Sequence, residues 1–316
     1  MKRRYLLSFS YLGNHFQSCS RDGNNLSSVV GALEDRLQRL KNTSLASNVV
    51  VSSRTDRGVH AIQNTAHVDL LTDRELSLTN VLNVLNKFYR KNNIGLRVSA
   101  IRQVADDFNA RKFARFRTYL YRIAVPKYNF DCIDPYTPIS EVTRCYFLRK
   151  PGFDIDAVQK GLSLLIGTHN FLSFTGKPSK QTLVRTPIRR IFSFTINQGA
   201  PLMCDLHEPF SNNFDYWDFI VEGRSFNYRQ VRRMIGALVA VGQGKFSCNG
   251  LQRMLDLEVQ SDEWIMSIIA PACGLYLMKV TYNEDDLAVN RKQKQCIQEY
   301  SNLMFLLKQR ELCLKV

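Results

Sequence analysis

Between two apolar stretches, residues 48 to 53 and 65 to 71, lies Ser53-Arg54-Thr55-Asp56-Arg57-Gly58-Val59-His60-Ala61. A carboxylate flanked by Arg54 and Arg57 and followed by glycine suits a tight turn that holds an ionised acid beside a polyanion. The two guanidinium groups would keep Asp56 charged, as a nucleophile requires. By residue type alone, the stretch reads first as a surface Arg-Asp turn, since many surface ion pairs contribute nothing measurable. Tyr119 and Arg232 are the other candidates for chemistry. Tyr119 shares a strand face with Tyr121, Ile123 and Val125 and so also fits a core aromatic, while Arg232 also fits an exposed helix arginine.

Cations interleaved with aromatics surround these candidates. Arg111, Lys112, Arg115 and Arg117 alternate with Phe113 and Phe116, and Arg189, Arg190, Arg229 and Arg233 flank Tyr228. With Arg54, Arg57 and the neighbouring His60, they form the expected RNA-binding set, a pattern suited to phosphate contacts around a shape-read fold. The charge balance agrees: 43 Lys+Arg against 28 Asp+Glu give +15, spread along the chain rather than gathered in a tail. That favours nucleic acid over a membrane surface.

The eight cysteines lack Cys-x-x-Cys or zinc spacing, which points to reduced thiols and no metal site. His60, His67 and His169 share no ligand spacing and are read as structural groups or hydrogen-bonding neighbours of the site. Met1-Lys2-Arg3-Arg4 runs directly into an alternating segment, so no secretory signal is expected. Gly242-Gln243-Gly244-Lys245 lacks the spacing of a phosphate loop and fits a helix C-terminal turn.

Hydrophobic period supplies the elements that must position these residues. Tyr5, Leu7, Phe9 and Tyr11 alternate as a half-buried strand, and Leu26, Val29, Val30, Leu33, Leu37 and Leu40 recur at helical spacing. Strands at 48–53 and 65–71, a helix over 78–89 and a strand at 96–104 complete a β-α-β-β-α-β order. The order repeats with strands at 117–125, 188–196, 215–222 and 275–282 and helices at 154–166 and 227–241. A short extra helix is expected near 251–257 and a Lys/Gln-rich one near 289–312. The expectation is an α+β protein with two ferredoxin-like, RRM-like halves, 1–108 and 109–285, and a helical extension over 286–316. Their mostly antiparallel sheet would be continuous, with helices on one face and a basic cleft between the halves for substrate.

Arg54-Thr55-Asp56-x-Gly58-Val59-His60-Ala61 closely resembles the signature of the TruA family of tRNA pseudouridine synthases, and Asp56 falls on that family's catalytic aspartate. The resemblance continues at Asp107-Phe108-Asn109-Ala110-Arg111, Arg117-Thr118-Tyr119-Leu120-Tyr121, His169-Asn170-Phe171, Arg185-Thr186-Pro187-Ile188-Arg189, Phe226 to Gly236 and Gly274-Leu275-Tyr276-Leu277. Within it, Tyr119 matches the family's active-site tyrosine and Arg232 the arginine that pairs with the aspartate. Details look most like the family's animal branch, whose members are often mitochondrial, so a mitochondrial or a cytoplasmic and nuclear location is expected. Where the family opens with Tyr-Asp-Gly and then Gly-Trp-Gln, this chain has Tyr11-Leu12-Gly13-Asn14-His15-Phe16-Gln17, a change expected to bear on substrate position more than on catalysis. Arg57 replaces a commoner small residue.

What the resemblance implies is a tRNA partner, with other RNA left open, a homodimer, and isomerisation of uridine without a cofactor. Moving C1′ from N1 to C5 needs no redox step, phosphate donor or metal. Asp56 could attack C1′ or C6, or remove the 2′ proton, and the sequence does not choose. Arg232 would hold the carboxylate by a two-pronged pair. Tyr119 would stack on the flipped base with its hydroxyl near C5, and about 1–3 kcal/mol of stacking would offset part of the flipping cost. The rival reading is a catalytically silent RNA-binding protein that retains the fold. A lone RRM module would need RNP strands, and the sequence has none.

Overall fold

The computed structural model describes residues 1–21, 26–41, 43–73, 75–176, 186–256 and 268–289. Alternation at the start produces β1 (Lys2–Tyr11), whose inward Tyr5, Leu7, Phe9 and Tyr11 are each at most 4% exposed. There follow α1 (Val29–Gln38), β2 (Thr43–Leu45), β3 (Val50–Val51), β4 (His60–Thr72), α2 (Leu78–Lys91) and β5 (Leu96–Val104). The later part runs β6 (Phe116–Pro126), β7 (Tyr146–Phe147), α3 (Ile155–Leu165), β8 (Gly167–Asn170), β9 (Ile188–Gln198), β10 (Phe214–Gly223), α4 (Gln230–Gly242), α5 (Cys248–Leu255) and β11 (Leu275–Thr281).

One sheet carries all of it, in the order β5-β1-β4-β11-β6-β10-β9-β8, with β2 and β3 attached to β4 and β7 to β6. The order β5-β1-β4 with β2 and β3 beyond, and the order β11-β6-β10-β9, are the same split βαβ arrangement met twice. The five α-helices among the described residues contribute to a single core with the inward strand residues. Two smaller clusters cover the reverse face, one around Leu6, Val104 and Phe108, the other around Ala124, Cys145, Phe214 and Tyr216. The α+β class with a large, mostly antiparallel sheet is as the sequence predicts.

The seam between the repeats decides where chemistry can occur. Along one edge of β4, its later residues pair antiparallel with β3 and β2, while His60 and Ala61 at its start pair parallel with Tyr276 and Leu277 of β11. The loop from β3 to β4 therefore opens at the junction, and this loop carries Asp56. The strand expected over 48–53 is shortened to β3, beyond which Ser52 N–H still bonds the Thr65 carbonyl of β4 as the loop begins.

The short β2, β7 and β8 are not among the elements the sequence predicts; segments of two to four residues, such as Tyr146-Phe147 or Gly167-Thr168-His169-Asn170, are too short to show a period. Gly242-Gln243-Gly244-Lys245 does end α4, with Gly244 at φ +66° and Lys245 N–H bonded to the Ala240 carbonyl. The helix expected over 289–312 lies outside the described residues apart from Val289, as does Arg185.

Candidate active site

The Asp56 loop is held from behind by a buried polar network. Asn64 on β4 accepts from the Ser52 hydroxyl (2.9 Å) and donates to the Ser53 carbonyl (3.0 Å), and the Tyr11 hydroxyl at the end of β1 bonds Thr55 Oγ1 at 2.8 Å. Gly58, at φ +82°, lets the chain reverse, and Val59 N–H closes the turn onto the Asp56 carbonyl at 3.1 Å. Gly13 presses against the outside of this turn, where a Cβ would lie 2.2 Å from the Val59 carbonyl oxygen. The Tyr11-Leu12-Gly13 segment thus packs on the aspartate loop.

Arg232 reaches Asp56 from α4. Its Nη1 donates to Asp56 Oδ2 at 3.1 Å, the side chains being 14% and 22% exposed. The pair has one prong rather than the expected two, and Nε donates instead to the Ala270 carbonyl at 2.8 Å. Ala270 N–H in turn bonds the Arg232 carbonyl, and the Tyr121 hydroxyl holds the Pro271 carbonyl. Arg232 therefore has its guanidinium fixed on both sides. α4 begins at Arg229 in the left-handed region, φ 60°, with Gln230 Oε1 accepting from Asn227 N–H.

Tyr119, on the inward face of β6, stands in the same cleft as Asp56 and Arg232. Burial pushes its phenol up to about 12, with Arg117 opposing. Its ring meets Phe226 edge-on at 5.3 Å. The cleft measures about 1160 Å³, and its lining includes Arg54, Arg111, Lys112, Arg117, Arg189, Arg229 and Arg232 against one carboxylate, Asp56. Asn109 presents two of these cations, its Oδ1 accepting from the N–H groups of Arg111 and Lys112.

Other members of the expected RNA-binding set lie elsewhere. His60 is 1% exposed and structural: Nδ1 accepts from Gly13 N–H, Nε2 faces the Thr143 carbonyl at 2.8 Å, and the ring stacks on Tyr276. Arg233 is buried, and so is Arg117, although it lines the cleft. Arg115 is turned to Asp286, and Arg190 lies over Phe192. Arg57 is exposed beside the loop but does not line the cleft. Among the lining residues that the sequence analysis leaves out, Arg224 adds a further cation. The Gly223-Arg224-Ser225 turn at the end of β10, directly before Phe226-Asn227, was the available signal.

Comparison with known proteins agrees with this geometry. A family model described as tRNA pseudouridine synthase matches residues 7–110 and 162–283. The chain is 33% identical over 291 residues to tRNA pseudouridine synthase-like 1 of Xenopus laevis, covering 90% of this chain and 93% of that protein. It is 34% identical over 289 residues to the Homo sapiens protein of that name, covering 89% and 91%. With tRNA pseudouridine synthase A of Thermus thermophilus it shares 32% identity over 290 residues, covering 90% and 99%.

Proposed function

The chain belongs to the TruA family of tRNA pseudouridine synthases, isomerases acting on RNA uridine, and we propose that it converts a uridine of tRNA through Asp56, without a cofactor. One observation carries this reading. Arg232 and Asp56, 176 residues apart in sequence, meet at 3.1 Å in a cation-lined cleft that also holds Tyr119.

Each group has a physical task. Attack on the sugar or ring carbon and removal of the 2′ proton both start from an ionised carboxylate, which Arg232 orients and stabilises. A phenol raised to about 12 by burial stays protonated at neutral pH, so Tyr119 serves as a ring wall and a neutral hydrogen-bonding group near C5 rather than as a resting phenolate. Phe226 fixes that ring's orientation. Arg54, Arg111, Lys112, Arg189, Arg224 and Arg229 give the cleft the positive potential that attracts an RNA backbone. Extruding the target nucleotide costs a few kcal/mol, which stacking and phosphate contacts offset.

Asp56→Asn tests the assignment. It keeps the shape and the Arg232 contact while removing the charge, so isomerisation of a tRNA transcript should fall by about 10²–10⁴-fold or more, with tRNA affinity and folding kept. Pseudouridine formation at the wild-type rate would remove Asp56 from this role.

A further inference from the structure

Arg117 differs from the other arginines around the cleft. Its residue is 8% exposed, and its guanidinium is occupied within the protein. Nε donates to Ser53 Oγ at 2.9 Å, Nη1 to the Arg224 carbonyl at 2.5 Å, and Nη2 to the carbonyls of Ser52 and Arg111, each at 3.1 Å. These acceptors belong to three segments distant in sequence. Ser52 and Ser53 lead into Asp56, Arg224 forms the turn after β10, and Arg111 belongs to the loop that presents cations to the cleft.

None of the acceptors is a carboxylate, and among the described residues none forms an ion pair with Arg117. Burial accordingly lowers its pKa. Taking a guanidinium out of water without a counter-ion is unfavourable, and well-packed apolar residues often serve pure scaffolding as well or better. A planar fork, however, can grip several carbonyl and hydroxyl oxygens in fixed directions at once. Tyr119 follows two residues later on the same face of β6, so the brace and the active-site ring share one rigid strand.

We propose that Arg117 is a positioning residue of the isomerisation, locking the approach to Asp56 against the Arg224 turn and the Arg111 loop, and is not a phosphate contact. The proposal rests on the Asp56 reading above. Misplacing reacting groups by even an ångström can cost on the order of 10²-fold, so the brace should act on the chemical step.

The experiment measures single-turnover rate, tRNA affinity across a salt series and melting temperature for wild type, Arg117→Lys, Arg117→Met, Ser53→Ala and Asp56→Asn. Both Arg117 variants are expected to lose at least about tenfold in rate at saturating tRNA, with Kd within about twofold and an unchanged salt slope, since lysine keeps the charge but not the fork. A phosphate contact would show the reverse: weaker binding, a salt slope lower by about 1, and most of the function kept by lysine. That pattern, or a wild-type rate in Arg117→Lys, overturns the proposal. If neither Arg117 variant folds, Ser53→Ala decides, because it removes one acceptor and leaves Arg117 in place. A severalfold slower rate at unchanged Kd supports the brace, and an unchanged rate sinks it. An active Asp56→Asn would instead refute the underlying site assignment, so the two failures are distinguishable.

Discussion

Strand β6 carries two buried arginines, Arg117 at its cleft end and Arg122 toward its other end, and their charges are met in opposite ways. Arg122 forms a two-pronged pair with the fully buried Glu141, at 2.6 and 3.0 Å, lies 3.7 Å from Asp218, and also donates to the Ala200 carbonyl. Burial pulls its pKa down, but the Glu141 hydrogen bonds and the neighbouring negative groups more than reverse this. Arg117 has only neutral oxygens, and burial leaves its pKa lowered. The two sites share a strand and a residue type, yet one is a neutralised joint beneath the reverse face and the other an unneutralised clasp at the cleft. A buried cation left without its counter-ion beside reactive groups signals function; a fully paired one signals scaffold.

The largest expected effect falls at the Arg122 end. Glu141→Gln removes the carboxylate that also accepts from Leu202 N–H, so about 3–5 kcal/mol of stability should be lost in urea unfolding, as for other broken buried pairs. The rate of the molecules that remain folded should be unchanged. A variant with slowed chemistry and intact stability would abolish the distinction between the two ends.

Arg232→Ala sharpens the cleft side. Losing both the Asp56 contact and the Ala270 clasp should slow the chemical step by about 10–100-fold, equivalent to about 1.4–2.7 kcal/mol, with tRNA affinity within about threefold. Arg232→Lys should restore little, since an ammonium cannot reproduce the two directed contacts. Single-turnover kinetics would count against the pairing if lysine recovered the wild-type rate.

How much of this was legible beforehand depends on the kind of signal. Long alternating or helical runs such as Leu78 to Tyr89 or Leu96 to Val104 declared their elements, and the same periods gave the two repeats. Asp56, Tyr119 and Arg232 were marked by family resemblance, not by any pattern that could place residues 176 positions apart in contact. Glu141 was invisible because it sits in an irregular segment with no period to orient it. Arg117 falls in the expected RNA-binding set by its type, although two-residue alternation from Tyr119, Tyr121 and Ile123 puts it on the inward face. The sequence leaves His60 open between an RNA contact and a structural group, because its hydrogen-bond partners Gly13 and Thr143 come from unrelated loops.

Arg224 offers a finer test, since its carbonyl serves the brace while its exposed side chain lines the cleft. Arg224→Ala removes the second and keeps the first. The expected result is weaker tRNA binding with a salt slope lower by about 1 and an unchanged rate at saturation, the mirror image of the Arg117 variants. Loss of rate without loss of affinity would mean that side chain and carbonyl do not divide their work in this way.

The smallest effect concerns the Tyr119 phenol, which burial raises to about 12 while the Arg117 charge opposes the shift. Because the folded state holds this proton more tightly than the unfolded chain, whose phenol titrates near 10, the contribution to stability is full below about pH 10. It disappears as pH rises through about 12. The single-turnover rate should therefore show no decline from phenol ionisation between pH 7 and 9, and Tyr119→Phe should lose less stability than wild type between pH 10 and 12. Superimposable alkaline unfolding curves for the two proteins would place the phenol in water rather than against the Arg117 clasp, and would weaken the contrast between the two ends of β6.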